Sequence, residues 1–271
     1  MHFHFHFTAV EVLWTLTFAA QLVLLVVLLG RDRMKRFPWF TLGIFMMALR
    51  LLASRLLFGR LPQIALSKIF IVMADLAAIV AFLVVGEMGR RAFAGVKRLH
   101  WFAGALAVLV VGAGILAAWG PWPAWKTLTA DSSIAVLRLM QLGSQKFDML
   151  VDLLTVELGL LVIFLGRRFG AGWHTHTQRI LIGLSTASIT QLAVQAVWQL
   201  IARTASPHSQ AEYDRILGLR DKLFNANGAI YVAVLVWWIV CLWIDEPGAR
   251  IGAETPGETT LEPESLSSEE V

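Results

Sequence analysis

Seven runs of some 20 apolar residues, at about 8–30, 38–59, 66–88, 99–119, 145–166, 177–202 and 222–244, constrain this chain more than any other feature. Each is long enough to cross a hydrocarbon core of about 30 Å as an α-helix. Lipid offers no water to a bare amide, so each run must satisfy its backbone within its own helix. The chain is therefore predicted to be an all-α integral membrane protein, a bundle of seven transmembrane helices over 1–246. Composition agrees. Only 15% of residues are charged, against about a quarter in soluble domains.

Charge placement predicts how the spans are threaded. The connections 31–37, 90–98 and 167–179 hold eleven Lys and Arg in 29 residues; 60–68, 120–146 and 203–222 hold nine in 56. The denser set belongs on the cytoplasmic side, which gives N-out, C-in. Arg31, Arg33, Lys35 and Arg36 directly follow the first run, and nothing basic precedes it. That pattern reads as a retained first span, not a cleaved leader. The last stretch, 247–271, is acidic, poor in apolar residues and rich in Gly, Pro, Ser and Thr. It is predicted to be a disordered cytoplasmic tail. The basic excess thus serves topology and not nucleic-acid binding. The expected location is a cell membrane, of the bacterial inner-membrane type.

Tryptophans support the same map. Trp39, Trp101, Trp173, Trp237, Trp238 and Trp243 fall toward predicted inner ends, and Trp14, Trp119, Trp122, Trp125 and Trp198 toward outer ends. All read as belt residues at the headgroups. No proline interrupts a span, and Pro38 suits the first turn of the second, where its missing N–H costs nothing. The one cysteine, Cys241, excludes an internal disulfide and reads as a small packing residue.

Three segments carry extra structure in the sequence. Asp131 to Ser133 reads as a cap before an amphipathic turn or two, Ile134 to Met140, expected to lie over the outer mouth as a lid. Ser209 and Glu212 have capping-box spacing, so the last helix is predicted to begin well before the membrane. The run 99–119 has no polar side chain from Phe102 to Ala118 and presents small residues such as Gly104, Gly112 and Gly114. Such a face serves close packing within the monomer or across a homo-oligomer equally well.

Ionisable groups inside the spans are the best functional pointers, because a charge in hydrocarbon must find a partner or a water-filled cavity. Arg50 and Arg55 lie in the second span, Asp75 in the third, Asp148, Asp152 and Glu157 in the fifth, and Glu11 near the start of the first. At a rise of about 1.5 Å per residue they all fall in the outer half or near the midplane. Asp148 and Asp152 are one turn apart and share a face, whereas Glu157 points elsewhere. Five acids face two arginines, so mutual neutralisation is incomplete. In the sixth span Ser188, Gln191, Gln195 and Gln199 form one polar stripe, with Asn225 and Asn227 at the same level of the seventh.

Two readings fit this set. In the structural one, Arg50 clasps Asp75 or Glu157, Arg55 and Asp148 snorkel outward, and the glutamines form an amide ladder. In the functional one, Arg50, Arg55, Asp75, Asp148, Asp152, Glu157, Gln191 and Gln195 line an outer-half pocket for a small solute, ion or proton. His2, His4 and His6 alternate with phenylalanines and would share one side of an extended strand, a weak metal motif at a frayed terminus. No cofactor is expected. The chain holds no G-x-S-x-G, phosphate-binding loop, dinucleotide fingerprint or H-E-x-x-H. Lys222 sits at the mouth of the last span, and no lysine lies deep in it for a retinal Schiff base. The leading expectation is a sensory or accessory module with a protein partner in the cytoplasm or membrane. The alternatives are a proton- or cation-coupled transporter or channel, and a structural subunit.

Overall fold

The computed structural model describes residues 8–93, 107, 110–115, 133–165, 175–205 and 209–245. Almost all of them are helical, and no strand occurs among them. The helices are α1 (Ala9–Gly30), the single turn α2 (Arg33–Arg36), α3 (Pro38–Leu57), α4 (Gln63–Ala92), α5 (Ser133–Leu165), α6 (His176–Thr204) and α7 (Gln210–Trp243). Five of them, α1, α3, α4, α6 and α7, are long and apolar enough to cross a membrane. The fifth predicted span lies in α5, which also carries Lys146, Asp148, Asp152 and Glu157. These charges keep α5 below that level of apolarity. Most of the predicted span 99–119 lies outside the described residues, as do His2, His4 and His6 and the acidic tail.

Local sequence accounts for where the helices start. At α1, Thr8 and Glu11 form a reciprocal capping box: Thr8 Oγ1 accepts from the Glu11 amide (3.3 Å) and Glu11 Oε2 from the Thr8 amide (3.2 Å). At α7, Ser209 Oγ accepts from the Glu212 amide at 3.3 Å. With 34 residues α7 measures about 51 Å, several turns longer than a hydrocarbon core of about 30 Å. The first turn of α3 has Pro38 at its start and no cap from its own segment. Glu87 of α4 supplies one: its Oε2 accepts from the Phe40 amide at 3.1 Å, while Oε1 is held by Arg91 at 3.4 Å. A carboxylate at a helix N-terminus also complements the helix dipole.

The expected lid does not form. Residues 135–140 are the first turns of α5, which runs unbroken from Ser133 to Leu165. No helix-ending residue separates the amphipathic turns from the span, so backbone hydrogen bonding propagates through Gly143. The segment stands upright as a wall.

Six long helices close into a ring in the order α1, α3, α4, α5, α6, α7 and back to α1. Large apolar side chains face outward from it, Leu16, Val23, Val26 and Leu29 on α1 among them. So much exposed apolar surface is stable only against lipid. Inside, at the Arg31 end, Leu28, Phe37, Met88, Ile180, Leu181, Leu235 and Leu242 pack into a dry plug. Trp238 belongs to this core and not to a headgroup belt. It is 1% exposed, meets Phe40 edge-on at 5.1 Å, and donates from Nε1 to the Ile180 carbonyl at 3.2 Å. Gly183 makes room for it, since a Cβ there would overlap the indole. Trp39, Trp237 and Trp243 do face outward, as belt residues do. Cys241 is a buried free thiol, in line with a packing role.

Candidate functional site

Above the plug the ring encloses a chamber of about 490 Å³. Its wall is built from the inward faces of the helices, read off at three- and four-residue steps: Phe40, Gly43, Ile44, Met47 and Arg50 on α3; Ala77, Ala78, Ala81, Val84 and Val85 on α4; Asp148, Val151, Asp152 and Thr155 on α5. On the far side stand Leu184, Ala187, Ser188, Gln191 and Gln195 of α6, and Asn227, Gly228, Tyr231 and Trp238 of α7. Thr17 contributes from α1. The floor is apolar and aromatic, with Phe40 and Trp238 at the bottom. From Asn227 down to Trp238 the chamber is about 17 Å deep at 1.5 Å per residue.

A second cavity of about 750 Å³ lies at the Glu11 end of the ring, between the C-terminus of α3 and the first turns of α4 and α5. It uses the same faces of the same helices. On α4 the series Gln63, Leu66, Ser67, Phe70, Ile71 and Ala74 continues in register into the chamber residues, and on α5 Leu137, Gln141, Ser144 and Gln145 do likewise. Arg50 and Asp148 line both cavities. They mark the neck of one track. Its length, from Gln63 to Val85, is about 33 Å.

Of the eight residues singled out in the sequence, five meet at this chamber: Arg50, Asp148, Asp152, Gln191 and Gln195. Asp152 Oδ1 accepts from Ser188 Oγ at 2.8 Å, and Asn227 Nδ2 donates to Gln191 Oε1 at 2.6 Å. The amide stripe of α6 thus makes one bond across to α7 and leaves Gln195 on the wall. Gln199 faces outward. Asp75 does not line the chamber, though its charge acts on Asp148, as does that of Arg50.

The expected clasp of Arg50 with Asp75 or Glu157 is not formed. Among the described residues Arg50 makes no ion pair; the pairs present are Arg31 and Arg33 with Asp245, Lys35 with Asp32, Arg55 with Glu11, and Arg91 with Glu87. Arg55 is drawn away from the chamber by Glu11 at 3.8 Å and by the Trp14 ring, 6.0 Å from its guanidinium carbon. Glu157 faces the other side of α5, where its Oε1 lies against Gly112 of the helical stretch 110–115, 3.8 Å from where a Cβ would be.

No protein-family model, curated protein or solved structure matches this chain.

The residues that sequence reasoning missed are Thr17, Thr155, Tyr231 and the floor pair Phe40 and Trp238. Thr155 and Tyr231 were signalled, since each lies one turn beyond a polar residue on the same face, Asp152 and Asn227. Tyr231 of α7 is fixed by two other helices: its hydroxyl accepts from Gln21 Nε2 of α1 at 3.4 Å and donates to Met47 Sδ of α3 at 3.1 Å. Phe40 and Trp238 carried no such signal, because an aromatic residue in an apolar run fits lipid, core or cavity equally. No group of three metal-ligating side chains occurs among the described residues.

Proposed function

We propose that this chain is a multi-pass membrane module that binds a small solute in the chamber and passes its occupancy to a partner protein. The observation that carries this reading is the chamber's form. It has a polar neck at Arg50 and Asp148, polar side walls, and a blind apolar floor backed by tightly packed side chains. A dead-ended pocket suits recognition. Conduction needs a polar lining that continues to the opposite face, and here the plug intervenes.

The accompanying topology is N-out, C-in with seven spans, the fourth lying within 99–119, in a membrane of the bacterial inner type. The neck then faces outward, and the basic loops and acidic tail face a cytoplasmic partner. Thermal unfolding of purified protein across a panel of amino acids, amines and small carboxylates tests the pocket. A solute that raises the wild-type midpoint is expected to lose its effect in Asp152→Asn or Arg50→Gln. Unchanged shifts in both variants would refute the reading.

A second reading is a proton- or cation-coupled transporter, favoured by the excess of carboxylates over Arg50 around the neck. It requires the plug to open. Cation or proton flux into proteoliposomes that disappears on neutralising Asp75, Asp148 and Asp152 would move the assignment there. A purely structural subunit, docking through 99–119, predicts neither ligand shifts nor flux.

A further inference from the structure

We infer that the chamber selects organic cations: a molecule with an ammonium-type group held at Asp148 and Asp152 and an apolar or aromatic body lowered onto Phe40 and Trp238. This rests on the ligand-binding reading above and assigns the ligand class. The first support is charge. Among the described residues two carboxylates line the chamber against a single guanidinium: Arg50 and Asp148 stand together at the neck shared with the cavity above, and Asp152 lies within the chamber. A cleft with one excess sign and low-dielectric walls concentrates ions of the opposite sign.

The second support is hydrogen-bond polarity. Gln21 is 2% exposed, stands one turn from the chamber-lining Thr17 on α1, and bonds the chamber-lining Tyr231; its Oε1 has no hydrogen-bond partner among the described residues. A buried, unmatched acceptor beside the wall adds to the acids in favouring a ligand that donates. The third support is the floor. Carboxylates lie near the top, and below them the described lining is aliphatic and is closed at the bottom by the buried Trp238 and Phe40 rings. The polar-above-apolar order matches an amphiphile and not an inorganic ion, which would find no ligands below Thr155.

Cys241 is the sole cysteine, so the chamber can be probed with single thiols. In a Cys241→Ser background, Ala187→Cys and, separately, Ala77→Cys place a thiol on opposite chamber walls. Each is reacted with 2-(trimethylammonio)ethyl methanethiosulfonate and with its anionic twin, 2-sulfonatoethyl methanethiosulfonate. Rates are normalised to each reagent's reaction with 2-mercaptoethanol, and any local effect on the thiol cancels in the ratio. The cationic reagent is expected to be faster by about tenfold or more. That preference should shrink toward unity with Asp148→Asn plus Asp152→Asn and grow with Arg50→Gln. Phenethylammonium should slow labelling of Ala187→Cys, while 3-phenylpropionate should not.

The outcomes separate. Labelling with no charge preference, or an anionic preference, overturns the cation inference and leaves the pocket standing. No labelling of either thiol in folded protein overturns both. A cationic preference unchanged by the double Asp variant assigns selectivity elsewhere and also refutes it.

Discussion

At the scale of single residues, two positions show how one atom group decides a local structure. Gly183 is where α6 lets the Trp238 indole in, so Gly183→Leu must displace the ring that floors the chamber. Overpacking of this kind costs about 1–3 kcal/mol. The variant is expected to melt at lower temperature in detergent, with Trp238 emission shifted to the red; an unchanged spectrum would argue against the packing described. Glu87 is the second. Its side chain is only 6% exposed, and it caps α3 from a neighbouring helix. Glu87→Ala leaves the first amides of α3 without an acceptor and Arg91 without its partner. A lost cap costs about 0.5–2 kcal/mol. Glu87→Gln keeps an acceptor oxygen and should recover part of the loss; equal melting of the two variants would rule out capping as the cause. Neither role was legible in the sequence, where Glu87 is one acid near an inner end and Gly183 one small residue among many.

At the scale of elements, the helix starts were legible and the helix extents less so. Ser209 with Glu212 marks one start in advance, and Thr8 with Glu11, which the structure adds, has the same spacing of three ahead of an apolar run, a pattern that owes nothing to distant residues. The fusion of the supposed lid with α5 was not foreseen, because an amphipathic turn followed by polar residues reads the same whether the chain bends or continues. Ser209→Ala should fray the first turns of α7, whose side chains are exposed. Faster amide exchange over 210–216, with thiol reactivity in the chamber unaltered, is the expected result. Exchange unchanged in that stretch would mean tertiary contacts, and not the cap, hold it. The α5–α6 seam shows the opposite balance. Gly159 admits Ser185, whose hydroxyl donates to the Thr155 carbonyl at 3.2 Å. Small residues here let backbones approach where lipid supplies no hydrophobic drive to association.

At the scale of the whole molecule, the ring and its threading follow from different physics. Threading is a matter of charge density at the ends of spans. With Cys241→Ser as background, Arg60→Cys should react with a membrane-impermeant maleimide in intact cells, and Lys35→Cys only after permeabilisation. The reverse pattern would invert the orientation and turn the neck of the chamber toward the cytoplasm. The sequence alone determined that the chain carries apolar helices of membrane-spanning length, roughly where they end, and how the charges are spaced along each one. These depend on position along a helix, which rises by a fixed increment per residue. What only the tertiary structure decided is azimuth. Helices apolar on every side carry no strong amphipathic phase to say which face turns inward, so helical spacing set Glu157 apart from Asp148 and Asp152 without saying which of these faces, or which of Arg50 and Arg55, would meet the interior. Ring closure supplies the missing rotation. It turns the first three toward a shared interior, sends Arg55 to Glu11, and leaves Glu157 on the far side of α5.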